Sequence, residues 1–400
     1  MKVRRSEGIR RYLDGALALL LAPLLVLSLP ALSVAQTPAA SEEKPDATAA
    51  SAPPPATEKA APLLAPVPAP ATAAGAVPAP APARDPVPLA LVLPLESPVY
   101  GRAAEAVKAG FAAAAAAANA RYTVVAHGDD GVVAAFAKAR DAGARVVVGP
   151  LVRDDLKAIA TAGGELPWTI ALNQLDESSA LPPRVFTLAL AVESEGVQLA
   201  RRANADGVRT VVVIGSDAPL QKRFAGAFTG EWVLLGGDAP LTFRLDRAPD
   251  MLALLQREVR RAAPDAVLLA LDARDAALVK PYVGQATAYT SSQINDRQTP
   301  EALRELDAVR FVELPWLADP SAAAFARVAR PDHGSVMLDR LYALGIDAFR
   351  VAQVFVDGEP ATLEFDGATG HVALDRSRHF LREGTLLQFR DGEIVPAGSR

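Results

Sequence analysis

From Val87 onward, short apolar runs of strand length alternate with longer stretches whose apolar positions recur at helical spacing. Leu89–Leu95 is followed by an Ala-rich helical stretch, Ala103–Asn119, Tyr122–Ala126 by Gly131–Ala142, and Arg145–Val148 by Arg153–Ala162; the strand Trp168–Leu172 closes the series. A second series reads helix Glu193–Asp206, strand Thr210–Ile214, helix Leu220–Phe228, strand Trp232–Leu235, helix Asp250–Ala263, strand Ala266–Leu271 and helix Ala273–Tyr282. Strands that are apolar throughout and joined by helices predict an α/β fold with parallel sheets covered on both faces. The region after Pro86 is larger than one sheet domain usually grows, which predicts two lobes. The boundary is expected near Phe186–Val192. Val309–Pro315 and the helix Leu338–Val356 read as a return to the first lobe, so the expected division is 87–187 with 309–357, and 188–308. Leu363–Asp375 and Leu386–Val395 alternate around Asp-Gly pairs, predicting antiparallel hairpins in a 358–400 tail that returns to the second lobe or the hinge.

Composition removes whole classes of chemistry. The chain of 400 residues is 50% hydrophobic and contains no cysteine, which excludes disulfides, thiolate nucleophiles, Cys-based zinc, iron–sulfur clusters and acylation through cysteine. A formal net charge of −5 gives no global reason to seek nucleic acid. At the start, Lys2, Arg4, Arg5, Arg10 and Arg11 precede the apolar run Gly15–Ala35, which ends in Ser33, Val34 and Ala35, the small-x-small pattern that a signal peptidase cuts. Residues 1–35 therefore read as a signal peptide. The run is also long enough for an uncleaved signal anchor, although Pro23 and Pro30 weaken a continuous helix. Either reading puts the bulk of the chain in the periplasm, and membrane attachment arises only if the segment is uncleaved. Residues 36–86 hold 13 of the 33 prolines and few large apolar side chains, the composition of a disordered Ala/Pro-rich linker with a reach of at most about 150 Å. Ser41 and Lys44 match the S-x-x-K spacing of penicillin-interacting serine enzymes, but such a segment cannot hold a nucleophile and base in register.

Six strings then carry a resemblance: Leu91–Ser97 (LVLPLES), Val147–Leu151 (VVGPL), Ala171–Asn173 (ALN), Ala288–Gln293 (AYTSSQ), Leu341–Arg350 (LYALGIDAFR) and Gly367–His371 (GATGH). Together, in this order, they resemble the LppC/LpoA family of penicillin-binding protein activators. The resemblance implies a two-lobed type I periplasmic binding protein-like fold. It also implies a non-enzymatic regulator that binds a class A penicillin-binding protein and stimulates peptidoglycan synthesis. Longer members of that family carry an N-terminal helical repeat domain and a lipobox cysteine; here the Ala/Pro linker stands in the first place and the second is missing from the sequence. The alternative is a periplasmic solute receptor that delivers an amino-acid-like ligand to an ABC transporter.

Ligands of open parallel sheets bind beyond the carboxyl ends of strands, which selects Ser97, Tyr100, Gly149, Asn173 and Gln174 in the first lobe and Asp272, Arg274, Tyr289, Ser291 and Ser292 in the second. In solute-binding relatives the matching first-lobe loops clasp a carboxylate with hydroxyls and amides, a role open to Ser97 and Tyr100 with Ser291 and Ser292 facing them. The bland reading of the same residues is helix caps and turns. Arg274 with Asp272 and Asp275 reads as a ligand clamp or as a solvated helix start. Asp129–Asp130 and Asp154–Asp155 sit where acids complement a helix dipole, and their adjacency does not suit paired-carboxylate catalysis. His127, His333, His371 and His379 show no ligand spacing, so no metal is expected, and without a G-x-G-x-x-G or G-x-x-x-x-G-K-S/T string no nucleotide cofactor is expected either. Trp232, Trp316 and the stretch Leu314–Leu317 read as partner anchors or as ordinary core.

Overall fold

The computed structural model describes residues 87–175, 180–296 and 300–398. The leader and linker readings lie outside the described residues. The first lobe begins β1 (Leu89–Leu93), α1 (Gly101–Ala117), β2 (Thr123–Ala126), α2 (Val132–Asp141), β3 (Val146–Val148), α3 (Arg153–Ala162), β4 (Trp168–Ala171) and β5 (Val185–Thr187). Its strands form one parallel sheet in the order β2-β1-β3-β4-β5. Alternate residues of β1 feed two cores: Leu89, Leu91 and Leu93 pack with Val107 and Phe111 of α1, while Ala90 and Val92 pack with Phe136 of α2 and Leu156 of α3. That two-sided burial is why the strand carries no polar position.

The second lobe continues α4 (Val192–Ala205), β6 (Val211–Gly215), α5 (Pro219–Leu234), β7 (Leu241–Arg244), α6 (Pro249–Ala262), β8 (Ala266–Ala270), α7 (Ala273–Val279), β9 (Thr287–Thr290), α8 (Pro300–Arg304) and β10 (Arg310–Glu313). A short α9 (Pro315–Ala318) then leads to α10 (Val336–Phe355), which lies on the first lobe across α1. The two helices cross at Gly110 and Gly345. A Cβ on Gly110 would strike the carbonyl of Tyr342, and one on Gly345 the carbonyl of Val107, so the backbones touch only because neither residue has a side chain. The antiparallel sheet β11 (Glu364–Asp366), β12 (His371–Leu374) and β13 (Phe380–Glu383) follows, and the hairpin β14 (Thr385–Arg390) and β15 (Glu393–Pro396) ends the described chain. The second sheet has the order β15-β14-β10-β9-β8-β6-β7, parallel from β10 to β7, with β14 antiparallel to β10.

The structure corrects the sequence reading at several places. Val309–Pro315, assigned to the first lobe, forms β10 in the second sheet, where Phe311 stacks on Phe389 at 5.0 Å. An apolar run is equally at home in either sheet, and its pattern does not say which. Trp232–Leu235 is the end of α5 and not a strand: Trp232 stacks on Phe228 one turn earlier, at 6.3 Å, and its Nε1 donates to the carbonyl of Asp238 at 2.9 Å. The strand of that unit is β7, at the edge of the sheet and mostly exposed, so it lacks the apolar run that marks the others. The tail divides. β14 and β15 join the second sheet, but Val372 of β12 and Phe380 of β13 pack into the first-lobe core, Phe380 lying 6.4 Å from Phe355.

Candidate functional site: the junction between the lobes

Among the described residues the chain passes between the lobes three times, through 188–191 after β5, through Leu314 after β10, and through Gly384 between β13 and β14. Beside these passages side chains of both lobes meet. Arg340, on the second turn of α10, is 5% exposed and faces Glu313, the last residue of β10, which is 1% exposed. Arg340 Nε donates to Oε1 of Glu313 at 3.1 Å and Nη2 to Oε2 at 2.7 Å, while the same Nη2 donates to the carbonyl of Ser292 at 2.7 Å. Glu313 also accepts from the N–H of Leu314 at 2.9 Å and from Asn295 Nδ2 at 2.9 Å. A buried ion pair stabilises only when its remaining lone pairs are satisfied, and these are.

Ser292 is held from its other side by Glu195, in the first turn of α4. Its N–H donates to Oε2 at 2.7 Å and its Oγ to Oε1 at 2.8 Å. Burial pushes the Glu195 carboxyl up to about 7, and the charge of Glu313 adds to that push, against the Ser292 donors and Arg340. One turn further along α4, Gln198 exchanges two hydrogen bonds with Gly384: Nε2 donates to its carbonyl at 2.8 Å and Oε1 accepts its N–H at 2.9 Å. Arg382 of β13 donates Nε to the carbonyl of Ala189 at 2.8 Å and Nη1 to that of Thr369 at 3.2 Å; burial lowers its pKa, opposed by the charges of Glu195 and Asp347.

Glu195, Ser292, Glu313, Arg340 and Arg382 line a cavity of about 50 Å³. That is room for a water or two, whereas pockets for small organic ligands begin near ~300 Å³. A larger cleft of about 290 Å³ opens beside it at the C-terminal ends of β3 and β4, bounded by Asn173 and Gln174 of the first lobe and by Glu193 and Arg223 of the second, themselves paired at 2.9 Å.

The residues selected from the sequence fall into different places. Ser97 is buried, and its Oγ accepts from the N–H of Tyr100 at 3.1 Å and of Val99 at 3.3 Å, fixing the turn into α1; Tyr100 itself is exposed. Gly149, at φ +117°, passes so close to the carbonyl of Val92 that a Cβ would collide. Asn173 donates Nδ2 to the carbonyl of Leu151 at 3.0 Å and accepts the N–H of Gln174 at 2.9 Å, so its amide ties the loop after β4 to the loop after β3. Asp272 caps α7 through the N–H of Asp275 at 2.8 Å. The proposed clamp with Arg274 does not form: Asp275 accepts from Nε and Nη2 of Arg247, at 2.7 Å each, and Arg274 is exposed. Tyr289, expected on a loop, lies in β9 and is buried in the second-lobe core. Ser291 is fully buried and Ser292 belongs to the junction. Asn173 and Gln174 thus meet in one cleft and Ser292 lines the neighbouring cavity. Trp232 and Trp316 are core residues, at 1% and 3% exposure.

Sequence reasoning missed Glu195, Glu313, Arg340, Arg382 and Asp347. Asp347 is fully buried on α10 and accepts from the N–H of Ala368 at 2.8 Å, the N–H of Thr369 at 2.6 Å and Oγ1 of Thr369 at 2.7 Å, holding the turn Gly367–Gly370. Burial raises its pKa against those donors. For three of the five the available signal was a charge embedded in an apolar run, as in Phe311–Leu314 and Leu338–Phe349.

Among the described residues no helix is long and apolar enough to cross a membrane. Residues 83–392 match the profile of the family described as "LppC putative lipoprotein". The chain is 26% identical over 275 residues to the penicillin-binding protein activator LpoA of Haemophilus influenzae, covering 66% of this chain and 47% of that protein. It is 29% identical over 307 residues to the LpoA of Edwardsiella piscicida, covering 66% and 44%. It therefore spans less than half the length of either relative. Of solved structures, the C-domain of Haemophilus influenzae LpoA, described as "a regulator of PBP1A", superposes with a TM-score of 0.68 at 25% identity, covering 77% of this chain and 99% of that one. A Chromobacterium violaceum structure described as a "putative branched-chain amino acid ABC transporter" superposes at 0.67 with 34% identity, covering 74% and 98%. With a family profile that runs from the start of the first sheet to the last hairpin, and with the fold of its solved members, this chain belongs to the LppC/LpoA family.

Proposed function

We propose that this chain is an exported, non-enzymatic regulator that binds a class A penicillin-binding protein in the periplasm and raises its rate of peptidoglycan synthesis. The observation that carries this reading is the match of the whole two-lobed body to the LpoA C-domain, which covers 99% of that chain. The chemistry of the junction fits it. Carboxylates and guanidiniums there are taken up by one another and by backbone groups, and the cavity that Ser292 and Glu195 line has room for a water or two and not for a substrate. The test is glycan polymerisation and cross-linking by a purified class A penicillin-binding protein with and without the chain. A several-fold rise in turnover that saturates with added chain supports the reading; unchanged turnover with no measurable association refutes it.

A second reading, a solute receptor, rests on the likeness to the Chromobacterium violaceum structure and on the cleft of about 290 Å³ at Asn173 and Gln174. A ligand there raises the melting temperature by mass action without any partner protein. A screen of amino acids that moves the melting temperature, joined with no effect on the synthase, would put this reading first.

A further inference from the structure

The strands of the first sheet turn their C-terminal ends toward the junction, and their N-terminal ends form a second, separate face. There the residues that enter β3, β4 and β5 stand side by side. The carbonyl of Arg145 accepts the N–H of Trp168 at 3.1 Å, and the carbonyl of Arg184 accepts the N–H of Thr169 at 2.8 Å. With Arg140 at the end of α2 and Glu165 before β4, they line an open groove of about 450 Å³. Three guanidinium groups and one carboxylate share this lining in a protein whose formal net charge is −5.

The three arginines are not equivalent. Arg140 pairs with its neighbour Asp141 at 3.1 Å. Arg145 has no carboxylate partner among the described residues. Arg184 has a left-handed backbone, φ +63°, uncommon for a residue with a side chain. In that conformation its guanidinium lies over the Trp168 ring, 5.3 Å from the centroid, and Nη1 donates to Oε1 of Glu165 at 2.6 Å. Glu165 is 79% exposed, so this pair faces water and its carboxylate exchanges at little cost for another.

We propose that the groove binds a short acidic peptide, one carboxylate seated on Arg145 and a second replacing Glu165 on Arg184. The Glu165–Arg184 pair shows which chemistry the Arg184 fork accepts, a planar carboxylate beside an aromatic face. The indole N–H of Trp168, which has no partner among the described residues, is left for a peptide carbonyl. The groove volume lies in the range of small-ligand sites, unlike the junction cavity. This inference does not depend on the synthase reading.

The experiment is a titration of the full chain with N-acetyl-tetraglutamate, followed by tryptophan fluorescence. Trp232 and Trp316 are buried, so the response reports Trp168. A saturable change is expected, weakening with added salt and falling about tenfold in affinity in Arg145→Gln, the loss of one charge-assisted contact. Arg184→Gln is expected to weaken binding similarly, and Glu165→Gln, which frees Arg184, to tighten it. Arg145 makes no ion pair among the described residues, so its variant keeps the unfolding midpoint and carries the test even if Arg184→Gln folds poorly. No saturable response, unchanged affinity in Arg145→Gln, equal binding of tetraglutamine, or equal displacement by inorganic phosphate would each overturn the proposal, the last by revealing a plain oxyanion site.

Discussion

Asp347 and Glu313 are both buried carboxylates set in apolar surroundings, and they are held by opposite means. Asp347 takes all its hydrogen bonds from neutral donors, two backbone N–H groups and one hydroxyl of Ala368 and Thr369, so it ties α10 to the turn before β12; the one cation beside it, Arg350 at 3.6 Å, stands on the same helix. Glu313 takes a two-nitrogen fork from Arg340, which reaches it from the other lobe. A latch of neutral donors fixes one local piece of the fold, and its loss is a lost set of hydrogen bonds. A charged fork fixes the relation of two bodies, because parting them leaves two desolvated charges without partners. The first arrangement builds a lobe; the second holds the angle between lobes.

The sharpest way to break that comparison is Glu313→Ala, which leaves Arg340 buried and uncompensated. It should lower unfolding free energy by about 3–5 kcal/mol in urea titrations. The double variant Glu313→Leu with Arg340→Met should recover much of that loss, since a packed apolar pair replaces the charges. A double variant as unstable as the single one would show that the fork is not what matters. Next is Gly345→Ala, inside the first lobe. Its Cβ meets the carbonyl of Val107 on α1, and the helices must part, a loss of about 3 kcal/mol read from the same titration. A tolerated alanine would mean the helices have room the close crossing denies them.

These contrasts also mark what was legible beforehand. The strand–helix alternation was readable because β1, β3 and β8 are buried on both faces and so are continuously apolar. β7 was not, because an exposed edge strand carries no such run, and β5 was not, because Val185–Thr187 runs into the apolar stretch that reads as the lobe boundary. The strings Leu341–Arg350 and Gly367–His371 carry the family resemblance, and their physical role lies in a contact between them, Asp347 of one accepting from Ala368 and Thr369 of the other. Glu195 and Ser292, or Arg340 and Glu313, are far apart in the chain and pair only through the sheet order. Sheet order is the property that local patterning leaves open. The strand-end rule selects Ser97, Asn173 and Asp272 as ligand contacts, and all three spend hydrogen bonds on backbone groups of their own or a neighbouring loop.

A smaller effect tests the neutral latch. Asp347→Asn keeps one acceptor oxygen but turns an NH₂ group toward either the Ala368 N–H or the two Thr369 donors, so at least one bond is lost and one donor is left unsatisfied. A loss of about 2 kcal/mol is expected, less than for Glu313→Ala. Hydrogen exchange should quicken at the amides of Ala368 and Thr369 while those of β9 and β10 in the second sheet stay as they were. A loss equal to that of Glu313→Ala would erase the distinction between the two carboxylates.

The least of the expected effects concerns Glu195, which shares features of both. Like Asp347 it is held by neutral donors, the N–H and Oγ of Ser292. Like Glu313 it stands among charges, with Arg340 and Arg382 drawing it toward ionisation and Glu313 opposing. Burial dominates and pushes its carboxyl from 4.5 to about 7. The folded chain therefore holds this proton more tightly than the unfolded chain does. The stabilisation is complete below about 4.5 and is lost as pH rises toward 7, opposite to a carboxylate engaged in a strong ion pair. Because part of the side chain reaches solvent, the change across that window should be about 1–2 kcal/mol. Unfolding curves at pH 5 and pH 8 for the wild type and Glu195→Gln isolate it, since the glutamine cannot titrate. The wild type should lose stability relative to the variant between those two values. A wild type that gains on the variant as pH rises would mean that Arg340 and Arg382, rather than burial, govern this carboxyl, and that the junction is held by one charge network that includes Glu195.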